Sequence, residues 1–288
     1  KALLFYFNGI FTLRTPLIGR LEPYLLKLSN TKLIAIQYGS DVQIFERSSN
    51  FLFKDRASKD YPNNYIYRYN IQDVRRDIDK WTRHADHIIS GCDWIEYIPF
   101  WNTILSAHFA YDTKNVKVPK LELNPKEYVI LHAPNHRNIK GTEIYTKAVE
   151  KLKQKGYPVK LHMIERMPNE EILKAIETCY VVGDQLVIGW YAYFSIEAMA
   201  RGKPCICYQR QDFLDFYEQA GVIEKNEVPL INCNHTTDSV ANAIEKLIID
   251  KNYYKDVSRR SLEYVDKHHS IEYIGSVFDK IYKEVVKQ

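Results

Sequence analysis

From residue 128 onward, short apolar runs bounded by Gly, Pro or Asn alternate with stretches in which apolar residues recur every third or fourth position. The runs 128–133, 159–164, 180–182, 204–208 and 228–231 are short and continuous, and predict strands buried on both faces. The stretch 142–154 predicts an amphipathic helix ended by Gly156, Pro168-Asn-Glu-Glu opens another, and Thr237-Asp-Ser starts one that runs to Ile249. Strand and helix in alternation imply a parallel sheet covered by helices, and the right-handed crossover rule makes that a doubly wound α/β domain.

The first third is less regular. An apolar run at 2–11 predicts a buried strand with its turn, 33–37 a strand ending in Tyr38-Gly39-Ser40-Asp41, 74–85 a helix, and 87–90 a short strand. Residues 110–125, with Lys114, Lys117, Pro119, Lys120 and Pro125, predict a polar linker. Two or three strands before it are too few for a full doubly wound sheet, so the first domain is expected to be incomplete, with sequence upstream of Lys1. The closing helix carries Ile271, Ile274, Val277, Phe278, Ile281, Tyr282 and Val285 on one stripe and is expected to cover that domain. The predicted organisation is a partial first domain over 1–120 with helix 269–288, and a second domain over 124–265.

Composition narrows the class. A chain of 288 residues, 45% hydrophobic and 26% charged, suits a soluble globular protein with sizeable cores. No stretch approaches eighteen apolar residues, and the opening run lacks the layout of a signal peptide. Cys92, Cys179, Cys205, Cys207 and Cys233 form no metal-ligand spacing, so a reducing compartment is expected. From Arg47 to Arg83, nine Lys/Arg against five Asp leave +4, equal to the formal charge of the whole chain. Tyr61, Tyr65, Tyr67 and Tyr69 interleave with that charge, as in a stacking groove for nucleic acid. No recognition helix, zinc pattern or RNA-binding motif accompanies them, and an anionic membrane surface or lipid-diphosphate acceptor accounts for the charge better.

The segment from Gly183 to Tyr208 concentrates the chemistry: a loop feeds a short helix with one acidic residue, Glu197, and Gly202 returns the chain to a strand. A carboxylate so placed can grip sugar hydroxyls, while the first N–H groups of the helix accept phosphate oxygens. The frame His132-Ala-Pro-Asn135-His-Arg137-Asn-Ile-Lys140-Gly141-Thr142, then Asp184-Gln-Leu-Val-Ile-Gly-Trp-Tyr191 and Ser195-Ile-Glu197-Ala-Met-Ala-Arg-Gly202-Lys-Pro204, resembles the donor domain of family-4 retaining glycosyltransferases. Tyr38-Gly39-Ser40-Asp41 and Arg83-His-Ala-Asp86-His-Ile-Ile-Ser90 resemble later motifs of their acceptor domain. The resemblance implies two Rossmann-like domains facing across a cleft (GT-B type), the first incomplete.

It also implies roles. Glu197 matches the glutamate that holds the ribose of a nucleotide-diphosphate sugar, although a helix-start glutamate favoured by the dipole would look the same. Lys140 matches a lysine that stabilises charge on the leaving phosphate, and Arg137 stands in for an arginine that the family places where this chain has Asn135. Ser195, Asp184, Gly189, Tyr191 and Ala198 complete the implied donor-binding set. Asp184 either orients the loop or touches the donor, although a turn-capping aspartate would look identical. Gly189 stands where the family often has a second glutamate, and Tyr38 where a histidine precedes the glycine. Gly39, Asp41 and Tyr38 form the acceptor side, Asp41 either capping the next helix or binding acceptor. The histidines 84, 87, 132, 136 and 162 form no metal spacing and read equally as packing residues.

The implied activity is transfer of a hexose from a UDP- or GDP-sugar to a hydroxyl of a glycan or glycolipid, with retention and no obligatory cofactor or metal. It would take place in the cytoplasm, with docking at the inner face of a membrane and no nucleic-acid partner. A nicotinamide dehydrogenase is disfavoured by the lack of G-x-G-x-x-G after a strand, and a hydrolase by the lack of a nucleophile elbow or paired carboxylates. A non-catalytic nucleotide-sugar-binding or scaffold protein of the same fold is the alternative.

Overall fold

The computed structural model describes residues 1–9, 18–61 and 71–287. The chain divides into two compact units, one of Lys1–Lys54, Tyr61–His108 and Ile274–Gln288, the other of Asp55–Asp60 and Phe109–Tyr273. Each unit has its own all-parallel sheet with helical connections, a mixed α/β architecture of two Rossmann-like domains.

In the first unit β1 (Ala2–Tyr6), β2 (Lys32–Ile36), β3 (His87–Gly91) and β4 (Thr103–Leu105) lie in that order. They are joined through α1 (Ile18–Leu28), α2 (Phe51–Asp60), α3 (Ile71–His84) and a 3₁₀ turn at Cys92–Tyr97. Among the described residues four strands precede the linker, where the sequence pattern suggested two or three. β4 escaped because three residues carry too little periodicity to be seen. β1 is not the fully buried strand its composition suggests: it is an edge strand among the described residues, Phe5 is buried beside Trp81, and Leu4 and Tyr6 are about half exposed. Its neighbour α1 buries Gly19, Glu22 and Pro23 and turns Ile18, Leu21, Leu25 and Leu28 outward.

Much of the basic stretch is internally paired: Lys59 with Asp55, Arg75 with Glu46, Arg76 with Asp73 and Lys80 with Asp77. Tyr61 packs edge-on to Phe45, while Tyr65, Tyr67 and Tyr69 lie outside the described residues, as do Ile10 and Phe11 of the opening run.

In the second unit the order is β6 (Val159–Met163), β5 (Tyr128–His132), β7 (Val181–Gly183), β8 (Cys205–Cys207) and β9 (Ile231–Asn232). The connecting helices are α4 (Arg137–Lys140), α5 (Thr142–Gln154), α6 (Asn169–Thr178), α7 (Tyr193–Met199), α8 (Gln211–Gln219) and α9 (Thr237–Ile249), followed by α10 (Lys251–His269), and α11 (Ile271–Lys287) belongs from Ile274 onward to the first unit. Ile130, Val181 and Ile206 from the strands meet Tyr145, Val149, Leu152, Val240 and Ile244 from α5 and α9 in one core. All strands run parallel, but β6 is added on one side of β5 and β7 on the other, so the strand order reverses there, and at such a switch point a crevice opens outside the C-terminal ends of the strands. The ends of β5 and β7 there are His132 and Gly183. On α11, Ile274, Ile281 and Val285 are buried, whereas Ile271 and Tyr282, on the stripe read from sequence, are half exposed.

Candidate functional site

The switch point collects the residues that the sequence singled out. β5 ends at His132 and leads through α4 to Lys140. β7 ends at Gly183 and hands Asp184 to the same end of the sheet. Lys140 Nζ donates to Asp184 Oδ1 at 2.8 Å, Ser195 Oγ donates to Asp184 Oδ2 at 2.6 Å, and the Ala192 N–H reaches the same oxygen at 3.4 Å. Asp184 is only 1% exposed. Burial alone would raise its carboxyl, but the Lys140 charge and the hydrogen bonds from Lys140, Ser195 and Ala192 outweigh burial and hold it below the usual carboxylate range. Asp184 thus clamps the α4 turn to the start of α7.

Lys140 owes its position to local geometry. Gly141, at φ +75, closes the α4 turn in the left-handed region, and a β-carbon there would lie 2.9 Å from Leu186. At the other end of the turn, Asp60 accepts from the N–H groups of Asn138 at 3.1 Å and Ile139 at 2.7 Å. Lys140 spends one of its three N–H donors on Asp184. Behind it, His132 is buried between Gly183 and Thr142. The Gly183 carbonyl can only accept, so His132 Nδ1 carries the proton at 2.7 Å and Nε2 accepts from Thr142 at 3.0 Å. Burial, aided by the nearby Lys140 charge, pushes His132 down to about 4 against the Gly183 bond, and the ring is neutral.

Glu197 lies on α7, two residues beyond Ser195, and is 4% exposed. Burial pushes its carboxyl above the usual range, against a hydrogen bond from Asn169 and the charge of Arg201. Asn169 Nδ2 donates to Oε1 at 3.0 Å. Among the described residues no donor is paired with Oε2.

Other members of the expected set are occupied elsewhere. Arg137 makes a bidentate pair with Glu165, at 2.8 and 2.6 Å, on the exposed rim. Tyr191 points inward, 2% exposed, its hydroxyl between Tyr264 at 2.8 Å and His269 Nε2 at 3.0 Å, so its ring is a packing element and not a cleft wall. Trp190 is likewise enclosed, against Tyr217. Ala198 is fully buried, and the Ser195 hydroxyl is committed to Asp184. Gly189 sits at φ +100 with Arg210 packed over it: a β-carbon would stand 2.4 Å from the Arg210 Cγ, so the space that a side chain at 189 would need is filled. In the first unit, Asp41 neither caps a helix nor presents its carboxylate outward. Oδ1 accepts from the N–H groups of Tyr38 at 3.0 Å and Gly39 at 2.9 Å, and Oδ2 from Phe7 at 3.1 Å. Burial still raises it to about 6. Gly39 lies against the Trp94 ring, and Tyr38 is 40% exposed beside Tyr6.

Sequence reasoning passed over Asn169, Arg210 and Asp60. An asparagine after a proline at a helix head is too common a pattern to single out, and the partners of Arg210 and Asp60 are set by packing. An open cavity of about 530 Å³ lies beside β6 and α6, lined by Met163, Ile164, Glu165, Met167, Glu171 and Lys174 among others, and none of Lys140, Asp184 or Glu197 lines it. Among the described residues no three His, Cys, Asp or Glu side chains stand together as a metal site, and no helix is long and apolar enough to cross a membrane.

No protein-family model matches the chain, and no curated protein sequence does. Solved structures match it over nearly its whole length. A sucrose-phosphate synthase from Thermosynechococcus elongatus aligns with TM-score 0.58 and 15% identity, over 93% of this chain and 71% of its own. The Anabaena protein HepE, solved with UDP and glucose, aligns with TM-score 0.56 and 13% identity, over 91% of this chain and 74% of its own. TarM of S. aureus, solved with fondaparinux, alpha-GlcNAc-glycerol and UDP, aligns with TM-score 0.55 and 14% identity, over 90% of this chain but only 51% of its own. The fold is that of the GT-B glycosyltransferases. The chain spans about half the length of TarM and nearly three quarters of the other two. At these identities the GT-B likeness establishes architecture, and the chemistry rests on the residues at the switch point.

Proposed function

We propose that the second unit binds the nucleotide-diphosphate part of a sugar donor, and that the protein transfers the sugar to a glycan or glycolipid hydroxyl with retention. The carrying observation is the clamp at Asp184, which joins Lys140 to Ser195 and so sets an ammonium and the Glu197 helix around one switch point. In this reading Lys140 meets the phosphates with its remaining N–H donors, and Glu197 Oε2 accepts from ribose hydroxyls. A fixed ammonium beside a leaving phosphate stabilises charge that grows in the transition state. Arg137 assists only after exchanging Glu165 for phosphate. UDP in two of the matched structures supports the choice of a nucleoside diphosphate. Transfer in polysaccharide or glycolipid synthesis at the inner face of a membrane, without an obligatory metal, completes the proposal.

Calorimetry with UDP and GDP tests the site and names the base. Glu197→Gln is expected to weaken the preferred nucleotide by about 1–3 kcal/mol through loss of charged hydrogen bonds. No binding of either nucleotide by the folded protein would overturn the reading. Transfer is then assayed with membrane extract and labelled donor, with and without chelator, and the product anomer read by NMR. An inverted product, or activity abolished by chelator, rejects the corresponding part. Tight donor binding without transfer across a broad acceptor panel would instead identify a nucleotide-sugar-binding scaffold, a role compatible with the filled space at Gly189.

A further inference from the structure

We infer that Asn169 is a positioning residue for Glu197: it holds one carboxylate oxygen so that the other faces a bound ribose, an inference that rests on the nucleotide-binding reading above. Asn169 is the first residue of α6, after Pro168 at φ −58, ψ 149, and that helix start has no side-chain cap. An asparagine near a helix head usually bonds to backbone close by. Here the amide reaches another element instead, donating Nδ2 to Oε1 of Glu197, 28 positions later, at 3.0 Å. Among the described residues the cation acting on the carboxylate is Arg201, and it does not bond to it. Arg201 directs its NH1 nitrogen to the backbone oxygen of Glu197 at 3.1 Å and to the Tyr111 hydroxyl at 2.7 Å.

The consequence is chemical. A lysine or arginine bonded to the carboxylate would spend the charge that two vicinal hydroxyls need. An amide fixes the rotation of the group and leaves its charge. One oxygen held and one without a donor, on a side chain that is 4% exposed, is a preorganised acceptor rather than a mobile surface acid. The titratable groups acting with it are Arg201, whose charge reaches the carboxylate, and Tyr193, which feels the Glu197 charge, with Glu177 and Tyr111 as partners of Arg201. Arg201 and Glu177 form the ion pair among them, at 3.9 Å.

The test is a double-mutant cycle on nucleotide binding, using whichever of UDP and GDP the protein prefers. Asn169→Ala should lower affinity about tenfold, as loss of one hydrogen bond to a charged group does. The loss should be larger at pH 6 than at pH 8, because the carboxyl then lacks the bond that opposes its upward shift. Asn169→Asp, which sets a like charge against Glu197, should lose more than Asn169→Ala. In a Glu197→Gln background Asn169→Ala should cost nothing further, and equal losses in both backgrounds overturn the proposal. A second readout needs no nucleotide: the ¹³C-carboxyl titration of Glu197 should move upward in Asn169→Ala. Nucleotide binding with an unmoved titration removes Asn169 alone. A moved titration in a protein that binds neither nucleotide removes the ribose, and the positioning role with it.

Discussion

His132 and Asp41 show how single residues make this fold respond to pH in opposite senses. His132 titrates near 6.5 when unfolded and is pushed to about 4 by burial, so between these values the unfolded chain takes up a proton that the folded ring refuses. Its contribution to stability is complete above pH 6.5 and is lost as pH falls toward 4, by up to about 3 kcal/mol. Asp41 is raised from 3.8 to about 6, so the folded form takes up its proton first and stability rises as pH falls through that window. The two residues lie in different units, so one melting curve would blend them. Hydrogen exchange separates them. From pH 7 to 5, after correction for intrinsic rates, β5 and β7 amides should lose protection while the Tyr38 and Gly39 amides keep or gain it. The same loss at β5 and β7 in His132→Gln would show that His132 is not the cause. The sequence marked both residues but not their states, since neutrality and burial depend on Gly183, Thr142 and Phe7, remote in sequence from one or the other.

At the scale of elements, the loop from Asp184 to α7 is shaped by what packs over it. Gly189 has a backbone that only glycine adopts readily, and the Arg210 stem closes the remaining space, with the Arg210 guanidinium 4.0 Å over Phe213 and paired with Asp212 at 2.6 Å. Gly189→Ala is therefore expected to destabilise the second unit by about 2–4 kcal/mol, the sum of backbone strain and a clash. In an Arg210→Ala background the clash disappears and only the strain should remain, a smaller cost measurable by urea unfolding. Equal costs in both backgrounds would show that Arg210 does not set the limit. Read as sequence alone, Gly189 is a missing glutamate. In the structure it is a position where no side chain fits, a property conferred by a residue 21 positions away (210 − 189). Strand and helix existence in this unit was legible because 142–154 and 159–164 have clean periods. β1 was misread as buried because an apolar run does not reveal which strand stands at a sheet edge.

At the scale of the molecule, the stretch that carries Glu197 is fastened to the segments by which the chain enters and leaves the second unit. Tyr191 bonds to His269, whose Nδ1 meets the Phe109 carbonyl at 3.1 Å. Arg201 bonds to the Tyr111 hydroxyl at 2.7 Å, and Tyr193 packs edge-on against Phe109 and Tyr111. Tyr111 and Ser270 are bridged, through the Tyr111 N–H to His269 and the Ile271 N–H to Tyr111. Tyr191→Phe removes the hydroxyl at the centre of this buried network, at a cost of about 1–3 kcal/mol. Amides of Tyr111 and Ile271 should then exchange faster, with β5 and β7 amides unchanged. Uniform acceleration through the unit would mean global loss of stability and no specific fastening. The sequence by itself determined the α/β class, the alternation of elements after residue 128, and the candidates Lys140, Asp184 and Glu197, because periodicity and local spacing are properties of the linear chain. Only the tertiary structure decided that Asp184 is a clamp, that Tyr191 faces inward and that Asn169 holds Glu197. Burial and hydrogen-bond partnership arise between residues that the chain keeps far apart until the sheet brings their strand ends together.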